Sequence, residues 1–152
     1  MVWTGVDEIL SEIKIKLRFD YLGKAKSGKL FGGKNVEQLA EDTRQQQVSL
    51  LRNVPVQGIR IEDIEMSQEV YLVMDEISGK KLAYAPAMIT FYADSIEDAI
   101  KFSMKEEFRT VEIIEPEELL LSKNDIEKLL FKVSKELVAY KDYLMRKIDN
   151  WK

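Results

Sequence analysis

An α+β fold is predicted by three patterns in the chain. Ile13, Ile15, Leu17, Phe19 and Tyr21 alternate strictly with Lys14, Lys16, Arg18 and Asp20, the two-residue period of a half-buried strand. Two later segments repeat apolar residues at helical spacing. Between them lie β-rich runs joined by Asp75-Glu76-Ile77-Ser78-Gly79-Lys80, a hairpin turn with glycine near its end. With 152 residues and 45% hydrophobic content, one core is expected, because a chain of this size buries roughly 70% of its unfolded surface.

The elements follow in order. Thr4 with Asp7 can cap a short first helix, and the alternating strand comes next. Residues 23–34 read as a loop rich in glycine and lysine, with Asn35 capping the helix that follows. That helix carries Val36, Leu39, Ala40, Val48, Leu51 and Val54 and is ended by Pro55 and Gly58. Ile59 to Met66 is expected to add a strand or to lie across a sheet edge, before the strand Val70 to Met74 and its hairpin return. The return runs long, from Leu82 to Tyr92, and Pro86 inside it marks a bulge or an unpaired edge position. Asp94 or Ser95 caps a helix with Ile96, Ala99, Ile100 and Met104, Thr110 to Ile114 forms a strand stopped by Pro116, and Ser122 with Asp125 boxes the start of a last helix. Stripped of its ends, the order is βαββαβ, the plan of the ferredoxin-like fold, with Ile59 to Met66 surplus to it as an additional strand or edge segment and with a long C-terminal α-helix. Residues 1–121 are expected to form the α+β domain and 122–152 a C-terminal helical element for self-association.

The absence of Cys and His removes thiolate nucleophiles, disulfides, Cys or His zinc sites and Ser-His-Asp relays. Catalysis within one chain is left with carboxylates, Lys, Arg, Tyr or a hard cation on oxygen ligands. No cofactor is expected. The start has no basic region leading into an apolar run, and no apolar stretch reaches the roughly 18 residues of a membrane span, so a soluble cytoplasmic protein without a membrane partner is expected.

Two motifs invite a catalytic reading and lack its context. Gly23-Lys24-Ala25-Lys26-Ser27-Gly28-Lys29-Leu30 has the G-x-x-x-x-G-K spacing of a phosphate loop, but Leu30 stands where a magnesium-binding hydroxyl is needed. Val54-Pro55-Val56-Gln57-Gly58-Ile59-Arg60 resembles the V-Q-G-V-x-F-R signature of acylphosphatases, in which a loop and an arginine cradle the acyl phosphate. Here the string follows a helix instead of the first strand, and its arginine sits at a different offset.

Charge is uneven. Residues 1–34 carry 7 Lys/Arg against 4 Asp/Glu, while residues 62–118 carry 5 against 15. Lys24, Lys26, Lys29 and Lys34 of the loop, with Lys14, Lys16 and Arg18 of the first strand, are candidate polyanion-binding residues. Tyr71, Tyr84 and Tyr92 belong to the same open sheet face and are candidate stacking residues. The alternative use of that face is mutual pairing, with Arg on Tyr and with Glu112 opposite Lys14 or Lys16. The acidic runs Glu62-Asp63-Ile64-Glu65 and Glu112 to Glu118 are candidates for magnesium or for acid–base work, without a third polar partner to narrow the choice.

The strongest periodic signal lies at the C-terminal end. Ile126, Leu130, Val133, Leu137, Tyr140, Leu144, Ile148 and Trp151 recur at spacings of three and four, a nearly continuous heptad seam. The expected function is a non-catalytic interaction or regulatory module that self-associates through this helix, with a dimer favoured and a protein partner allowed. Nucleic-acid binding through the basic loop and tyrosine face is the alternative, and a carboxylate-dependent magnesium enzyme is the third reading.

Overall fold

The computed structural model describes residues 12–23 and 35–150, and within them the chain is a mixed α+β fold. Eight elements run in the order β1 (Ile13–Leu22), α1 (Val36–Asn53), β2 (Ile59–Glu65), β3 (Tyr71–Met74), β4 (Lys81–Ala93), α2 (Ile96–Ser103), β5 (Phe108–Glu115) and α3 (Lys123–Asn150). The proposed N-terminal helix, the loop lysines Lys24, Lys26, Lys29 and Lys34, and Trp151 lie outside the described residues. No helix among the described residues is long and apolar enough to cross a membrane.

The five strands form one open antiparallel sheet in the order β2-β4-β1-β5, with β3 also paired to β4. Residues 59–65 are therefore a true edge strand. The length of β4 explains how two short strands share it: Lys81 to Tyr84 pairs with β3, and Met88 to Ala93 pairs with β2. Pro86 falls in the gap between the two, fully buried, on the side of β4 where no ladder hydrogen bond is required. The Arg44 guanidinium closes that gap, donating to the Pro86 carbonyl at 3.0 Å and to the Gln68 carbonyl at 2.9 Å.

The alternation in β1 has its expected result. Ile13, Ile15, Leu17, Phe19 and Tyr21 are buried with Ala83 to Ala93 of β4, beneath Ala40 and Val48 of α1 and Phe102 of α2. Small residues on β4 let α1 approach closely. At the end of β1, Gly23 abuts the α1 backbone, where an added Cβ would lie 2.7 Å from the Ala40 nitrogen.

Helix starts follow local chemistry. The Asn35 side chain accepts from the Gln38 N–H at 2.8 Å, and Gln38 reaches back to the Asn35 N–H. Ser95, rather than Asp94, caps α2 through the Asp98 N–H. Ser122 and Asp125 exchange reciprocal bonds of 3.1 and 2.9 Å before α3. Gly58, at φ 77°, turns the chain from α1 into β2, which accounts structurally for the glycine of the Val54 to Arg60 string.

Candidate functional site

Two surfaces stand out: the sheet face turned away from the helices, and the outer side of α3. Strand register assembles the first. Lys14, Tyr92 and Arg60 form one cross-strand row, Glu112, Lys16 and Thr90 the next, and Thr110, Arg18 and Met88 the third. The tyrosines do share this face, as the alternation implied.

Most of its charges already have partners. Lys14 is ion-paired to Glu62 at 3.3 Å, and the hydrogen bond to that carboxylate holds its ammonium above the usual range. Glu62, from the far edge strand, thus pairs with Lys14, while Glu112 stands directly opposite Lys16, the second of the two positions expected for it. Tyr92 lies between two cations, with Arg60 4.7 Å and Lys14 5.6 Å from its ring centre, and Arg60 also pairs with Glu12.

At the opposite end, Asp20 is a buried carboxylate, only 2% exposed, and it organises its surroundings. Arg18 donates to it through two nitrogens at 2.8 and 3.2 Å, Arg109 stands 3.7 Å away, and the Tyr71 hydroxyl donates to it. Tyr71 stacks on Tyr84 at 5.6 Å between centroids, and Arg109 lies 5.2 Å over Tyr84 on the other side. Burial first, and then the bond to Asp20, raises the Tyr71 hydroxyl pKa above 10. Sequence reasoning named Arg18, Tyr71 and Tyr84 but missed Asp20 and Arg109 as their common anchor. The one legible signal was the i, i+2 placement of Arg18 and Asp20, which puts opposite charges side by side on one strand face.

The charge balance of the face follows. Among the described residues, five cations (Lys14, Lys16, Arg18, Arg60 and Arg109) share it with seven acids (Glu12, Asp20, Glu62, Asp63, Glu65, Glu112 and Glu115). Such a face has little net field for a polyanion. Among the described residues, no three acidic side chains converge into a group able to hold a metal ion, so the acidic runs supply no donor set there.

A cleft of about 450 Å³ opens beside Asp20, lined on one side by Tyr21, Tyr84, Glu106, Glu107 and Arg109 and on the other by Tyr140 and Tyr143 of α3. Burial pushes the Tyr21 hydroxyl well above its ordinary value, with Glu107 adding to the shift. Tyr140 bridges the cleft by donating to Glu106 at 3.3 Å.

The second surface is α3. The helix runs alongside α2, with Asp125 near the α2 start and Glu136 to Tyr140 near its end. Its best-covered positions are Asp125, Leu129, Lys132 and Glu136, which form one mostly polar stripe, and none of its residues is buried. Apart from Tyr140, which turns to Glu106, the heptad seam stays open: Leu130 is 65% exposed, Leu137 61% and Ile148 51%. A further apolar row absent from the sequence reading, Phe131, Val138 and Met145, is more than half exposed. At about 100° per residue the two rows together occupy roughly half the helix circumference, an arc that begins beside the domain at Tyr140 and runs round to the outer side.

Comparison with family models, with curated proteins and with solved structures finds no match.

Proposed function

We propose that this chain is a non-catalytic α+β interaction module that self-associates through α3, most simply as a dimer. The observation that carries the reading is the exposed heptad seam on a 28-residue helix whose covered stripe is polar. Soluble chains rarely leave so wide an apolar arc in water. Taking roughly 150–200 Å² per large side chain, the seam offers about 600 Å² per copy, and about 900 Å² with the second row. Two such surfaces reach the standard interface range of about 1,200–2,000 Å².

The sheet supports the ferredoxin-like plan. β4 lies between β1 and β2, β1 lies between β4 and β5, and each βαβ unit is thus split by an antiparallel strand. On this reading β3 is the additional strand, in place of the Ile59 to Met66 segment that the sequence order alone marks as surplus, because that segment takes the edge beside β4, and α3 is an appendage to a 1–121 core. The paired charges of the open face favour the module over a nucleic-acid binder.

Sedimentation of the intact protein tests the proposal. A dimer at tens of micromolar is the expected result, and a monomer there refutes it. Nucleic acid copurifying with the protein and released by salt would favour the alternative.

A further inference from the structure

We propose that the free edge of β5 pairs antiparallel with β5 of a second copy, in the register that sets Glu112 opposite Glu112. The two sheets then form one continuous sheet with the helices of both copies on the same side. The inference rests on the self-association reading and adds the interface geometry to it.

The edge itself is the first observation. β5 is the last strand in the sheet order, with β1 as its partner, and residues 109–115 are all exposed. Among the described residues, backbone bonds outside the ladder touch β5 at its first residue alone, where the Phe108 N–H donates to the Lys105 carbonyl, and the outer side from Thr110 onward carries none. Edge strands are normally blunted by lysine, proline, bulges or a covering element. The other edge, β2, has such protection, with a bulge between Ile61 and Asp63 in the middle of the strand. The irregularities of β5 lie near its two ends, so Thr110 to Ile113 stays regular, and the strand holds no lysine or proline.

A second observation concerns the helix-side face. Val111 and Ile113 stand opposite Leu17 and Ile15 in the ladder. The β1 residues are 1% and 3% exposed, whereas Val111 is 53% and Ile113 48% exposed. The hydrophobic layer therefore stops one strand short of the sheet edge. A copy added at this edge continues that layer.

Register follows from face and charge. A two-fold axis perpendicular to the sheet keeps both helix layers on one side, so opposed residues must have numbers with an even sum. Centring on Glu112 sets Val111 opposite Ile113 twice, all four within the regular stretch. Centring on Val111 would instead oppose Arg109 to Ile113 and Glu107 to Glu115. The like-charged Glu112 pair at the axis is flanked by Lys16 of each copy.

Because the chain has no cysteine, single-cysteine variants report this geometry cleanly. Directly opposed residues lie about 4.5–5.5 Å apart at Cα, within disulfide range. Under oxidising conditions Glu112→Cys is expected to cross-link most of the full-length protein into dimers. Thr110→Cys should not, since its two copies would be four residues out of step, about 14 Å apart. Dimers by sedimentation without a Glu112→Cys cross-link overturn the strand pairing and leave the α3 reading standing. A cross-link through Val111→Cys but not Glu112→Cys overturns the register. A monomer at tens of micromolar overturns both proposals.

Discussion

Leu137 lies at the middle of the exposed seam, and replacing it with alanine separates self-association from folding. The substitution removes three carbons, worth about 0.8 kcal/mol each when fully buried. Since 61% of the residue is exposed in one copy, that fraction is what a second copy can newly cover. The loss is then about 1.5 kcal/mol per chain and about 3 kcal/mol per dimer, or roughly a hundredfold in the dimer dissociation constant. The covered remainder bounds the cost to the monomer at about 1 kcal/mol. Sedimentation equilibrium over a concentration series measures the first quantity. Thermal unfolding measures the second, because the Tm of a dimer rises with protein concentration and that of a monomer does not. Lys135→Ala, exposed and outside both apolar rows, serves as the control and is expected to leave association unchanged. An unchanged dissociation constant in Leu137→Ala would refute the reasoning, as would a fall in Tm with no change in its concentration dependence.

Three further expectations concern the fold. Asp20→Ala strands two guanidinium groups and the Tyr71 hydroxyl. Because both arginines keep about a third of their surface in water, a loss of about 2 kcal/mol is expected, below the ~3–5 kcal/mol of fully buried pairs, and urea unfolding reads it. Gly23→Ala presses a methyl group against the α1 backbone at Ala40 and Val36 and should cost about 1–3 kcal/mol, a figure that an unchanged urea midpoint would contradict. Alkaline stability depends on Tyr21, whose hydroxyl ionises near pH 10 when unfolded and higher when folded. Its contribution is complete below pH 10 and declines as pH rises further, so Tyr21→Phe should flatten the loss of stability above pH 10. Lys105, held below its ordinary value mainly by burial, acts with the opposite sign, which is why the single variant rather than the wild-type profile is the test.

Several elements were legible from residues a few positions apart. The period-two pattern of β1, the Asn35 and Ser122–Asp125 caps and the Asp75 to Lys80 turn all rest on hydrogen bonds or burial settled within one segment. The heptad spacing of α3 was equally visible, since it depends only on helix geometry. Other features needed the sheet to close. Pro86 reads as a break until β2 and β3 are seen to share β4 on either side of it. Asp20 reads as one more polar residue on an alternating strand until Tyr71 and Arg109, 51 and 89 positions away, are brought to its carboxylate. The pairing of Lys14 with Glu62 rather than Glu112 is of the same kind, because strand order decides which edge supplies the acid. Periodicity in α3 revealed a stripe and could not say which side the domain would cover. Tertiary packing chose the polar stripe through Leu129 and Glu136 and left the apolar one outside, because hydrophobic spacing marks a face for burial without naming the surface that buries it.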